Sequence, residues 1–333
     1  MNQRILVIQT AFLGDVILGT ALVENLRSFF PNFSVDFLVR KGNEGVLANN
    51  PHVENVLIWN KQQHKTKNLI AIVAQVRSNK YKAILNLHRF ASSGIITIFS
   101  GAKIKIGFKS NPFAFAFTRS MKHLVGEMHE VDRNAFLAIE LLKILNGPNA
   151  TADFQLKNRP KLFPSAIDYT NVKQYKEQAY VCIAPASVWF TKQLPVAQWA
   201  ALIQQIPQTI YLIGAENDCY LCEKIISLCP QQKVINLAGK LTLLESAALM
   251  VDATMNYVND SAPMHLASAM NAPTTVFYCS TVPSFGFGPL SDNAHIVQAK
   301  EPLACRPCGL HGHQNCPKGH FKCALSINPQ PLI

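Results

Sequence analysis

Apolar residues along this chain fall into two alternating patterns. Compact apolar runs occupy Ile5–Gln9, Phe33–Val39, Val53–Trp59, Tyr81–Leu87 and Lys103–Phe108. Their lengths and their flanking turn residues, such as Pro31-Asn32, predict strands. Between them the spacing changes. Leu18, Leu22, Leu26 and Phe29 line one face of a helix from about Asp15 to Phe29, and Leu69–Val76 and Val131–Leu145 are helical in pattern. Such a rhythm predicts a parallel sheet covered by helices on both faces. Asn158–Gln178 is polar, holds Pro160 and Pro164, and reads as a linker. The rhythm then restarts, with strands expected at Tyr180–Ala184, Ile210–Gly214, Val234–Leu237, Met255–Val258 and Thr274–Tyr278. Helices are expected at Val196–Ile206, at Glu216–Cys229 and from Thr242, where Thr242-Leu243-Leu244-Glu245 has capping-box spacing. The expectation is an α/β chain of two doubly wound, Rossmann-like domains, residues 1–165 and 175–333, with a cleft between them.

Composition narrows the class. At 333 residues, 49% hydrophobic and 15% charged, the chain can build two sizeable cores. No apolar run is long enough to span a bilayer. The start, Met1-Asn2-Gln3-Arg4-Ile5-Leu6-Val7-Ile8, has too short an apolar run for a signal peptide, and Gly14-Asp15 follows it; it reads as a first strand of a cytoplasmic protein. The net charge of +11 is unevenly spread. Residues 1–170 carry 21 Lys/Arg against 11 Asp/Glu, whereas residues 171–333 carry 10 against 9. The first half therefore expects an anionic partner, a phosphorylated lipid or a membrane surface. No nucleic-acid module or Lys/Arg-dense helix is present, so nucleic acid is not expected.

Candidate chemistry sits in the loops after strands. The first is Gln9-Thr10-Ala11-Phe12-Leu13-Gly14-Asp15, in which Gly14 permits a tight backbone and Asp15 starts a helix. A carboxylate there complements the helix dipole or serves as a general base. The loop after the first strand of the second half carries Ser187, Thr191 and Lys192, two hydroxyls and a point charge suited to a phosphate. Glu216, after Ile213-Gly214-Ala215, is either a first-turn helix residue or a ribose ligand. Asn259-Asp260-Ser261-Ala262-Pro263-Met264-His265-Leu266-Ala267 reads as a strand end followed by a capped helix start, a setting that suits a diphosphate. Neither half carries a Gly-x-Gly-x-x-Gly loop, which disfavours a nicotinamide cofactor. Near the end, Cys305, Cys308, Cys316 and Cys323 have C-x2-C-x7-C-x6-C spacing, with His311, His313 and His320 beside them. A structural zinc or iron site and a set of reduced thiols are both compatible with that spacing.

Taken together, these motifs resemble glycosyltransferase family 9, the ADP-heptose:lipopolysaccharide heptosyltransferases, over nearly the whole chain. The resemblance rests on Leu13-Gly14-Asp15-Val16, on His129-Glu130-Val131-Asp132-Arg133, on Ser187…Thr191-Lys192-x-x-Pro195, on Gly214-Ala215-Glu216 and on Asn259–Ala267. The Cys-rich ending is most like that of heptosyltransferase II. Leu194 and Ala262 stand where the family usually carries Trp and Gly, and Cys279-Ser280-Thr281 replaces its Gly-Pro-Thr. The resemblance implies a GT-B fold and an inverting, metal-independent transfer of heptose from ADP-heptose to the anionic lipopolysaccharide inner core, at the cytoplasmic face of the inner membrane. It implies Asp15 as general base and Lys192 as the charge on the departing diphosphate. Ser187, Thr191, Glu216, Asp260, Ser261, Ala262, Pro263, Met264 and His265 would bind the donor, with Asp260 as a cap orienting the helix amides. Gly14, Lys41, Arg89 and Lys109 are the acceptor-side candidates. A family-9-like transferase with another nucleotide sugar or a protein acceptor, and a nucleotide-binding module without catalysis, also fit these residues.

Overall fold

The computed structural model describes residues 3–150 and 155–332. Met1 and Asn2, the start of the segment read as a first strand, lie outside the described residues, as does Ile333. The chain divides into two compact units, Met1–Phe163 and Pro164–Ile333.

In the first unit the order is β1 (Arg4–Ile8), α1 (Leu13–Phe29), β2 (Ser34–Arg40), β3 (Asn55–Trp59), α2 (Lys65–Ser78), β4 (Ala83–Asn86), α3 (Ala91–Phe99), β5 (Ile104–Phe108), β6 (Arg119–Met121) and α4 (Glu130–Asn146). Its strands are all parallel and lie in the order β3-β2-β1-β4-β5-β6. The second unit runs α5 (Ala166–Val172), β7 (Tyr180–Ala184), α6 (Val196–Ile203), β8 (Thr209–Leu212), α7 (Cys219–Ile226), β9 (Val234–Asn236), α8 (Leu243–Met250), β10 (Met255–Asn259), α9 (Ala262–Met270), β11 (Thr274–Tyr278), β12 (Ala294–Gln298) and α10 (Lys322–Leu325). Its sheet is also parallel, in the order β12-β11-β10-β7-β8-β9. Counted from its own first strand, each sheet has the doubly wound order 3-2-1-4-5-6.

Central strands of such sheets are covered on both faces, which is why they read as unbroken apolar runs. All of β7 and β10 is buried. In the first unit Leu6, Ile8, Leu38 and Ile84 join one cluster with Ile72 and Val76 of α2. In the second, Trp199 of α6 is fully buried and meets Phe277 of β11 edge-on, with centroids 5.1 Å apart. The helix starting at Thr242 has its expected cap: Glu245 N–H donates to Thr242 Oγ1 (3.1 Å) and Thr242 N–H to Glu245 Oε2 (2.7 Å).

Five elements depart from the periodicity reading, among them the one-turn α10 in the Cys-rich tail, where no helix is expected. α5 forms inside the stretch read as linker, because Ser165 and Asp168 cap it reciprocally. α3 carries four β-branched residues and one Gly, all of low helix propensity; Gly94 is there because a Cβ would meet Asn111 Oδ1 at 2.3 Å. β6 is short and polar, and β12 is a half-exposed outer strand, so neither shows an apolar run.

Candidate functional site

The doubly wound order creates one special place per sheet. Strand order reverses between β1 and β4, and between β7 and β10, and the loops beyond their carboxyl ends diverge to leave a crevice. In both units, side-chain contacts connect the two loops at this point.

In the second unit, Lys192 Nζ from the loop after β7 pairs with Asp260 Oδ2 from the end of β10 at 2.7 Å. Thr281 Oγ1, from the loop after β11, donates to the same Asp260 oxygen at 2.6 Å. Fully buried Asn259 connects the loops a second time: its Nδ2 donates to Pro185 O (2.7 Å) and its Oδ1 accepts Leu194 N–H (2.9 Å). The loop bearing Ser187 and Lys192 is therefore held at both ends by one residue. Ser187, Ser261, Ala262 and Pro263 are half-exposed around this cluster.

Several expected donor residues have other work. Asp260 does not cap α9; Ser261 occupies the N-cap position without a side-chain cap bond, and the Asp260 carboxylate is committed to Lys192 and Thr281. Pro263 removes one amide from the first turn, and Met264 N–H is taken by Ser261 O (3.0 Å), so the helix start offers fewer donors than its position suggests. Met264 is fully buried, with the Tyr278 hydroxyl on its sulfur at 3.5 Å, and His265 is buried as well. Thr191 is also buried: its Oγ1 accepts from Ser280 Oγ (3.0 Å) and from His313 N–H (2.8 Å).

Glu216 is exposed just beyond β8. Sequence reasoning missed its support, Gly239, at the end of β9's loop. Gly239 has φ +72°, donates its N–H to Gly214 O at 2.9 Å, and lies so close that a Cβ there would meet Glu216 Cα at 2.8 Å. Gly239→Ala is expected to displace Glu216 and raise the dissociation constant for a nucleoside diphosphate about ten-fold, beyond the roughly 1 kcal/mol of backbone strain. Gly147→Ala is the control, since Gly147 has φ +97° but nothing within 4 Å of its Cβ position; it should lose stability alone in melting and calorimetry.

In the first unit, the loop after β1 is tied down residue by residue. Lys61, beyond β3, donates from Nζ to Thr10 O (2.8 Å) and to Thr10 Oγ1 (2.9 Å), and stands 4.5 Å over the Trp59 ring. Thr10 Oγ1 is 3.0 Å from Nδ1 of buried His88, beyond β4, so this contact crosses the switch point. Asn43 Nδ2 donates to Ala11 O at 3.0 Å. The loop delivers Asp15 as the third residue of α1, half-buried, with Oδ2 accepting Phe12 N–H at 3.2 Å. Gly14 is half-buried beside it, and Lys41, Arg89 and Lys109 are exposed beyond β2, β4 and β5 at the same carboxyl edge. Burial, then the charges of Lys61, Arg89 and Arg40, push His88 down to about 3, so it is neutral near pH 7. Burial, then Arg40, lowers Lys61 to about 8. Neither residue was singled out by sequence; a lone Lys and a lone His carry no pattern.

The family model for glycosyltransferase family 9 (heptosyltransferase) matches residues 69–314. This chain belongs to glycosyltransferase family 9. Lipopolysaccharide heptosyltransferase 3 of Escherichia coli is 27% identical over 287 residues, spanning 81% of this chain and 82% of that protein. The structure of a family 9 glycosyl transferase from Veillonella parvula matches with a TM-score of 0.77 at 20% identity, covering 89% of this chain and 87% of the other. The structure of E. coli ADP-heptose lipopolysaccharide heptosyltransferase II matches with a TM-score of 0.73 at 20% identity, covering 96% of both chains. The architecture is therefore GT-B, and the protein is a glycosyltransferase.

The Cys-rich tail of this family 9 enzyme is held by the protein itself. Arg306 Nε donates to Cys279 O (2.7 Å) and Cys308 N–H to Ser280 O (2.8 Å). Cys305 Sγ lies 3.8 Å from His320 Nε2, and Cys308 Sγ donates to Cys305 O at 3.0 Å. Cys323 is buried, which with the neighbouring Cys308 and Cys316 pushes its thiol up to about 11. Among the described residues no group of three or more His, Cys, Asp or Glu is placed to hold a metal ion. As arranged, the four cysteines do not converge on one point. Among the described residues no helix is long and apolar enough to cross a membrane.

Proposed function

We propose that this enzyme transfers L-glycero-D-manno-heptose from ADP-heptose to a hydroxyl of the phosphorylated lipopolysaccharide inner core, with inversion. The observation that carries this reading is the Lys192–Asp260 pair across the second unit's switch point, within a family 9 chain. Lys192 and Ser187 receive the diphosphate, the start of α9 adds its dipole, and Glu216 takes the ribose hydroxyls. Thr191 serves the loop from behind. Asp15 accepts the proton of the acceptor hydroxyl as that oxygen bonds to the anomeric carbon. The bond from that carbon to the β-phosphate oxygen breaks, and the electron pair leaves with ADP, whose growing charge meets Lys192.

The acceptor side carries a matching charge. Arg40, Lys41, Lys61, Arg89 and Lys109 occupy one edge, and besides Lys61 over Trp59 two of these cations lie beside exposed aromatic rings: Arg40 is 5.0 Å from the centroid of Phe12 and Arg89 is 5.3 Å from that of Phe90. This edge suits a phosphorylated saccharide on a lipid and peripheral contact with the cytoplasmic face of the inner membrane. Lys61 is cationic only below about pH 8. Acceptor KM is therefore expected to rise as pH passes upward through that value, and Lys61→Met should abolish this limb in pH-dependent kinetics.

Calorimetric titration with ADP, UDP, GDP and their sugars tests the donor assignment. ADP and ADP-heptose should bind tightest; a preference for UDP or GDP, or no binding of ADP, contradicts it.

A further inference from the structure

We propose that Thr281 and Arg306 are positioning residues that aim Lys192 through Asp260, making the C-terminal tail a working part of the donor site. The proposal rests on the reading of Lys192 as the diphosphate ligand.

The relay is continuous. Arg306, in the tail, donates from Nη2 to Thr281 O (2.7 Å) and Tyr278 O (3.2 Å), and from Nε to Cys279 O (2.7 Å). A rigid guanidinium on three carbonyls fixes the turn after β11 in a way that a flexible ammonium does not. Thr281, buried in that turn, donates its hydroxyl to Asp260 Oδ2 (2.6 Å), and the same oxygen holds Lys192 Nζ (2.7 Å). Lys192 has a long, flexible stem, so its direction depends on a partner that is itself fixed. Without the Thr281 hydroxyl, Asp260 is free to turn and its carboxylate keeps more of its charge for Lys192. Both changes draw the ammonium away from a phosphate.

A second tail contact reaches the residue before Lys192. Thr191 exchanges two hydrogen bonds with His313: N–H to His313 O (3.1 Å), and His313 N–H to Oγ1 (2.8 Å). Gly312, at φ +78°, fits against this spot; a Cβ would meet Thr191 Oγ1 at 2.9 Å and Lys192 Cγ at 3.3 Å. The tail therefore bears on Lys192 twice, through the preceding residue Thr191 and, by way of Thr281, through its ion-pair partner Asp260.

The test compares Thr281→Val, which keeps the shape and loses the hydroxyl, with Thr281→Ser, which keeps it. Thr281→Val should raise the ADP dissociation constant about ten-fold, Thr281→Ser should restore it to within about two-fold, and Thr281→Val should add no further loss to Lys192→Ala. Arg306→Lys, measured independently, should weaken ADP in the same direction, and it decides the matter if Thr281→Val does not fold. Wild-type ADP affinity in Thr281→Val and Arg306→Lys, with Lys192→Ala weakened, overturns the relay and leaves the donor reading standing. Additive losses with Lys192→Ala also overturn it. Unchanged affinity in Lys192→Ala overturns the donor reading and the relay with it.

Discussion

Asp15→Asn is expected to lower turnover about a thousand-fold, within the range assigned to a positioned general base, while ADP affinity stays at the wild-type value. The isostere is the informative choice. Asp15 also accepts the Phe12 N–H at the start of α1, and an amide oxygen can keep that bond. If the residue were only a helix cap, Asp15→Asn would stay active and Asp15→Ala would lose roughly 1 kcal/mol of stability. If it is the base, both variants are equally inactive and Asp15→Asn melts like the wild type. Single-turnover rates, calorimetry with ADP and thermal melts together separate the two cases. Turnover of Asp15→Asn within a few-fold of wild type removes the base assignment.

Lys192→Ala is expected to lower kcat by about 10²–10³ and to raise the ADP dissociation constant at least ten-fold, as for loss of a group that meets leaving-group charge. It also strands Asp260, which is 6% exposed, and breaking such a pair destabilises the fold by up to about 3 kcal/mol. The Lys192→Ala, Asp260→Asn double variant separates these effects. Removing the stranded charge should return most of the melting temperature without returning ADP affinity. Recovery of ADP binding along with stability would mean that Lys192 acts only as the partner of Asp260.

The central strands were legible because burial on both faces forces continuous apolar runs; Tyr180–Ala184 and Thr274–Tyr278 match β7 and β11 to the residue. Outer strands β6 and β12, and helices whose composition hides their period, were not. The position of the candidate site was legible for a related reason. Motifs after strands mark carboxyl ends, and strand order then decides which of them meet. What no linear pattern carries is the partner of each side chain. Asp260 read as a helix cap because Asp before a helix start is a common cap, yet its carboxylate serves Lys192 and Thr281. Thr191 read as a phosphate ligand beside Lys192, but the tail more than a hundred residues later takes its hydroxyl. Lys61, Thr10 and His88 come together from the loops after three separate strands of one sheet and leave no local trace. The Cys spacing likewise carries no trace of the contacts that tie that segment down, through Arg306, Cys308 and His313.

The central claim is heptose transfer to a lipopolysaccharide core, and the mass of the acceptor reads it directly. Incubated with ADP-heptose and an inner-core acceptor, the purified protein should add a single heptose and release one equivalent of ADP, and Asp15→Asn should do neither. An acceptor of unchanged mass after incubation with the wild-type protein, under conditions where ADP-heptose binds, would contradict the account.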